Sequence, residues 1–222
     1  MKQWASDAVQ SMSGRNRIVH VVLWFVYCGI ALEIVQTKVG TTSLVLMPIQ
    51  LLMFGLHELS HVATGFLPEV MTASAGSLSE LLFAGLLVMI AYKKRAYITT
   101  FFMGLWWLYA AFSVGRYMAD ARSQSMPLVS IDSAINEQSV ATHDWHFVFS
   151  ELDILNADTF IGNIVKATGI IVALTGIIFY AYLIITKRKI TADLPVANKV
   201  QGTSSSVAEV VYSSDPIDKS TR

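Results

Sequence analysis

The sequence predicts an all-α, polytopic integral membrane protein with about five transmembrane helices, and three observations carry that expectation. Of 222 residues, 54% are hydrophobic and 14% charged, whereas a soluble domain carries about a quarter of its residues as charges. Five apolar segments stand out, 18–35, 43–66, 78–92, 97–117 and 161–186, and most reach the roughly 20 residues a spanning helix needs. The first follows a polar N-terminus, 1–17, and is not closed by a small-residue cleavage site, so it reads as a retained anchor. The expected organisation is this polar N-terminus, a transmembrane helical domain over 18–186 with a long polar loop at 119–159, and a disordered, Ser/Thr/Val-rich tail at 187–222.

Taken in order, segment one carries Trp24 and Tyr27, and segment four carries Trp106, Trp107 and Tyr109; as membrane aromatics they are expected to face lipid or the interface. Segment two contains Pro48 and Gly55, expected to bend the helix ahead of its polar C-terminal half. Segment three is short, fit either to cross a thinned bilayer or to enter and leave on one face. In segment five Gly169, Ala173 and Gly176 line one side and suit close helix packing. No internal repeat is visible.

Basic residues give conflicting orientation signals. Lys2, Arg15 and Arg17 precede segment one, Lys93 to Arg95 separate segments three and four, and Lys187 to Lys189 follow segment five. Five alternating crossings place the last two clusters opposite the first, against the tendency of basic residues to stay cytoplasmic. A re-entrant third segment would unite them, but would part the long loop from the end of segment two. Five crossings are preferred because they bring loop and segment-two end to one face.

That end holds the most informative residues, His57-Glu58-Leu59-Ser60-His61. On a helix His57 and His61 lie one turn apart on the same face, so both imidazoles can reach one ion, with Glu58 beside them. This is the zincin spacing, in which two His hold Zn²⁺ and the Glu takes a proton from metal-bound water. A charged group within the bilayer costs about 2.5 kcal/mol or more unless compensated, and a metal ion is the most direct compensation. The single cysteine, Cys28, excludes an intrachain disulfide and a Cys-based zinc site.

A catalytic zinc takes three protein ligands and keeps a position open. Of the five His, two more cluster in Thr142-His143-Asp144-Trp145-His146 within the long loop. Asp144 is the first choice for the third ligand, with His143 and His146 as alternatives. Asp120 either ligates, orients a ligand His, or pairs with Arg116 or Arg122. His20 reads as a packed or interfacial histidine, Glu33 and Glu80 as interfacial carboxylates, and Asp153 and Asp158 complete the acidic candidates.

The run from Phe54 to His61 resembles the H-E-x-x-H helix of the site-2 protease class of intramembrane zinc metalloproteases. The resemblance implies Zn²⁺ bound by His57 and His61, with Glu58 as general base. The class takes its third ligand, an Asp, from a later helix in an N/L-D-G context; no such tripeptide occurs here, so Asp144 would serve from the loop. The runs 74–78, 117–122 and 143–145 are similar to small multi-pass bacterial membrane proteins carrying H-E-x-x-H, which implies a bacterial inner-membrane location and no particular activity.

The leading expectation is thus a membrane-embedded zinc-dependent hydrolase, most directly a metallopeptidase, with the lipid bilayer as surroundings and a membrane protein or a lipid amide or ester as substrate. The alternative is a non-catalytic metal-binding membrane protein with a sensor, transport or structural role, or a haem protein, for which His on facing helices would be usual. Glu58 separates the two, since storage or haem ligation has no need of it. A net charge of zero offers no electrostatic case for nucleic acid.

Overall fold

The computed structural model describes residues 17–37, 43–126 and 143–193. Among them the chain is all-helical: α1 Arg17–Gln36, α2 Met47–Thr64, α3 Glu69–Lys93, α4 Tyr97–Ala119, α5 Asp144–Glu151, a 3₁₀ turn Leu155–Ala157, and α6 Asp158–Asp193. The expected polar N-terminus (to residue 16), the middle of the long loop (127–142) and the tail from 194 lie outside the described residues.

Four helical stretches are long and apolar enough to cross a membrane, Ile18–Gln36, Glu69–Lys93, Tyr97–Ala119 and Leu155–Thr186, rather than the five expected. The difference is α2. It has 18 residues, but Gln50, His57, Glu58, Ser60 and His61 lower its mean hydropathy. Pro48 sits in its first turn, where a missing N–H is harmless, and therefore starts the helix instead of bending it. The short third segment is also corrected. α3 has 25 residues, because the small residues from Thr72 to Ser77, unpromising by hydropathy, are helical and form the face against α2.

α4 is the central element, packed between α3 and α6, and most of its second half is buried. Glycines let α4 and α6 approach closely: a Cβ at Gly115 would stand 2.6 Å from the Gly162 carbonyl oxygen, and one at Gly169 would stand 3.0 Å from Ala111 Cβ. The small side of α6 seen in the sequence is thus a helix-packing face. Tyr27, expected at the surface, is instead buried beneath Gly104 and Gly176. Trp24 turns inward as well, its Nε1–H donating to the Ile177 carbonyl at 3.0 Å.

Contacts along the helices fix their directions. His20 Nδ1 lies 3.2 Å from the Tyr180 hydroxyl, Trp24 meets Ile177, and Tyr27 meets Gly176, so α1 is antiparallel to α6. At its other end Arg116 donates to the carbonyls of Ile34, Val35 and Thr37, so α1 is parallel to α4. α2 runs antiparallel to α3, with Leu56 opposite Ser79 and His61 opposite Thr72. From Met47 to His57 the helix rises about 15 Å at 1.5 Å per residue. Thr37 therefore lies near the His57 end of the bundle and Met47 well toward the other.

α1, α2 and α4 thus all point to the end carrying the His motif, and α3 and α6 point away. Arg17, Lys93 to Arg95, and the backbone of residues 187–189 all lie at the opposite end. The alternation expected from five crossings, which set the N-terminus opposite both clusters, fails because two successive helices, α1 and α2, share a direction.

Candidate metal centre

α2 supplies the two histidines. Ser60 and Thr64 donate their hydroxyls back to the carbonyls of Leu56 and Ser60, each at 2.7 Å, which removes them from the polar face and leaves the imidazoles there. The rings of His57 and His61 lie 4.8 Å apart between centroids. α3 holds both from behind. Nδ1 of His57 lies 2.9 Å from Oε1 of Glu80, and Nδ1 of His61 lies 2.8 Å from the Thr72 carbonyl oxygen. His57 reaches α3 because position 76 is glycine: a Cβ there would stand 2.6 Å from His57 Nε2.

α5 supplies the carboxylate. Oδ2 of Asp144 lies 3.2 Å from His57 Nε2 and 3.4 Å from His61 Nε2. Tyr117 braces it, donating its hydroxyl to Oδ2 at 3.2 Å and accepting from the Asp144 backbone N–H at 3.0 Å. The next residue, Trp145, donates its indole N–H to Ser77 Oγ at 2.9 Å inside the protein, which ties α5 to α3. Burial pushes the Asp144 carboxyl up, but hydrogen bonds from His57 and His61 outweigh it and hold the group at about 2, an anion.

The donor chemistry of this trio fits a cation. The Thr72 carbonyl can only accept, so His61 carries a proton on Nδ1, and His57 carries one in the same place when its Nδ1 donates to Glu80 Oε1. In neutral imidazoles both Nε2 atoms then present lone pairs to a carboxylate oxygen. The three atoms are joined either by protons, with imidazolium Nε2–H groups donating to Oδ2, or by a cation that takes the place of those protons. One ligand atom from each of His57, His61 and Asp144 lies within 4.8 Å of the others, and a ligand His whose second nitrogen donates to a carboxylate or carbonyl is the usual arrangement around a protein-bound metal.

The other candidates fall elsewhere. Glu58 is half-buried on the turn between the two His. His143 and His146 do not join the trio. The His143 ring caps α5 by accepting from the His146 N–H at 3.2 Å, and its Nε2 faces Asp120 Oδ2 at 3.6 Å; burial depresses its pKa. His146 Nδ1 donates to the Ala121 carbonyl at 2.8 Å. Asp120 pairs with neither Arg116 nor Arg122. It accepts from the Ser125 hydroxyl at 2.6 Å, from the N–H groups of Ser125 and Met126 at 3.0 and 2.9 Å, and from Ser123. Burial works against that carboxyl's ionisation, yet these bonds bring it down to about 2. Arg122 pairs instead with buried Asp158 at 2.8 Å, pinning the start of α6 to the end of α4. Glu33 and Asp153 are exposed, and His20 is buried against Tyr180.

Glu80 is the residue that sequence reasoning misplaced. Assigned to the start of a short segment it looked interfacial, but in a helix that begins at Glu69 it is central, and it is 6% exposed. The available signal was its position: a carboxylate within an apolar helix needs a partner, and one turn before it the run Gly76-Ser77 offers a gap for a neighbouring ring. Tyr117 and Ser77 gave no such signal, since each is an ordinary membrane-helix residue until α5 docks on it. Compared with known proteins, the chain matches no protein-family model, no curated protein and no solved structure.

Proposed function

We propose that this is a membrane-embedded zinc-dependent hydrolase, a metallopeptidase of the site-2 protease kind, working as a multi-pass protein of the bacterial inner membrane. One observation carries the reading: both Nδ1 atoms of the H-E-x-x-H pair are engaged by oxygens on α3, so both Nε2 atoms turn to Asp144, and Glu58 adjoins His57 in the chain. Zn²⁺, when bound, supplies a Lewis acid and a water acidified toward a pKa near 7.

The chain's own residues supply the rest. His57, His61 and Asp144 would hold the ion, and three protein ligands would leave room for a water or substrate oxygen. Glu80 and the Thr72 carbonyl lock the rings, and the Tyr117 hydroxyl orients the Asp144 carboxylate. Glu58 accepts a proton at its carboxylate and returns it to the leaving group. The bond attacked is an amide or ester, and a peptide or a lipid acyl bond meets the same groups.

The test is metal content by elemental analysis together with cleavage of membrane-peptide and lipid-amide substrates, followed by mass spectrometry. Wild type should carry about one Zn²⁺ per chain. His57→Ala should lose it, and Glu58→Gln should keep it while hydrolysis falls about 10²- to 10⁴-fold. Metal-free wild type overturns the centre. Full activity in Glu58→Gln overturns the hydrolase and leaves the non-catalytic metal-binding reading.

A further inference from the structure

The helix directions bring three basic groups, separated in sequence, to one end of the bundle. α1 starts at Arg17, with Lys2 and Arg15 ahead of it in the chain; α3 ends at Lys93, followed by Lys94 and Arg95; and α6 passes through residues 187–189 in its last turns. The other end holds His57, His61, Asp144, the connection 65–68 and the described parts of the polar loop, 120–126 and 143–157. Basic residues there are fewer: Arg116 is bound to the carbonyls closing α1, Arg122 to Asp158, Lys166 of α6 packs beside Gly115, and Lys38 follows α1 in the chain. Neither 65–68 nor 127–142 contains a Lys or Arg.

Lys and Arg within about 15–20 residues of membrane-helix ends set orientation by staying cytoplasmic. Alternating crossings leave that rule unsatisfied in this sequence. Parallel α1 and α2 remove the conflict, since α2 begins partway down the bundle and returns to the end from which α1 emerges.

We infer that the basic end faces the cytoplasm and that the His57–His61–Asp144 cluster opens on the opposite, non-cytoplasmic side. On the metal-centre reading above, its ion and the substrate segment it acts on reach it from that side, so the substrate is a membrane protein or lipid presenting its scissile bond near the outer leaflet. Gln36, at the end of α1, and Thr64, at the end of α2, then both lie outside.

Single cysteines placed in a Cys28→Ser chain test this, using a membrane-impermeant maleimide on sealed right-side-out and inside-out membrane vesicles. Leu67→Cys, between α2 and α3, and Leu152→Cys, at the end of α5, should label from the non-cytoplasmic side. Lys94→Cys should label only from the cytoplasmic side. Three positions guard against one variant that folds poorly, and detergent-permeabilised vesicles report the total label. Labelling of positions 67 and 152 from the cytoplasmic side, or of 94 from the other, overturns the inference. The readout needs neither metal nor activity, so repeating it after chelation separates a wrong orientation from a wrong metal centre.

Discussion

Nδ1 of His57 on α2 and Oε1 of Glu80 on α3 lie 2.9 Å apart, and the glutamate is almost wholly enclosed. A buried carboxylate bonded to the outer nitrogen of an imidazole does two things. It sets the tautomer, and it raises the basicity of the inner nitrogen, which here points to Asp144. On the zinc centre proposed above, Glu80→Ala should therefore weaken zinc binding about 10- to 100-fold, while Glu80→Gln, whose amide oxygen still accepts, should lose less. Competition with a chromophoric chelator measures both, and equal affinity in Glu80→Ala and wild type would show that the carboxylate plays no part in holding the ring.

Gly76→Ala tests the close approach that lets His57 reach Glu80. The added methyl would stand 2.6 Å from His57 Nε2 and 2.7 Å from its neighbouring ring carbons, so the ring must swing away. Zinc affinity should fall at least tenfold with helix content unchanged. Gly55→Ala is the control: nothing lies within 4 Å of a Cβ there, and a helix-interior Gly→Ala change is favourable by about 1 kcal/mol.

The Trp145–Ser77 hydrogen bond fastens the short helix that carries Asp144. Trp145→Phe leaves the Ser77 hydroxyl buried without its donor, a cost of about 1–3 kcal/mol. The variant should melt earlier in detergent, and protease should cut the α5 region sooner. Adding Ser77→Ala should recover part of the loss, and strict additivity of the two changes would deny the bond its role.

Acid should act on the turn at Asp120. Its carboxyl ionises at about 2 in the folded chain, against about 3.9 when unfolded. A depressed folded pKa contributes stability that is fully present above pH 4 and is lost as pH falls from about 4 to about 2. Asp144, depressed likewise, loses stability in the same window, so the informative quantity is a difference. The stability gap between wild type and Asp120→Asn should narrow across that window, followed by thermal melting; a constant gap would mean that the ionised form gives Asp120 no advantage.

Composition and motif spacing alone determined much of this protein. Long apolar runs can bury their backbone polar groups in a bilayer only as helices, which made the all-α class legible, and a one-turn His spacing needs no partner to share a face. That is why His57 and His61 were readable, together with Asp144 as their first-choice companion, which the structure sets within 3.2 and 3.4 Å of their Nε2 atoms. What only the tertiary structure decided depends on partners remote in sequence. Whether Glu80 is interfacial or central follows from where α3 begins, and its small N-terminal residues hide that until α2 packs on them. Whether His143 or His146 competes with Asp144 depends on the docking of α5, which turns one ring to its own backbone and the other to Ala121. The shared direction of α1 and α2 was hidden for the same reason: hydropathy marks where a helix is apolar, whereas its direction comes from contacts such as Arg116 with Thr37, which join residues far apart in the chain.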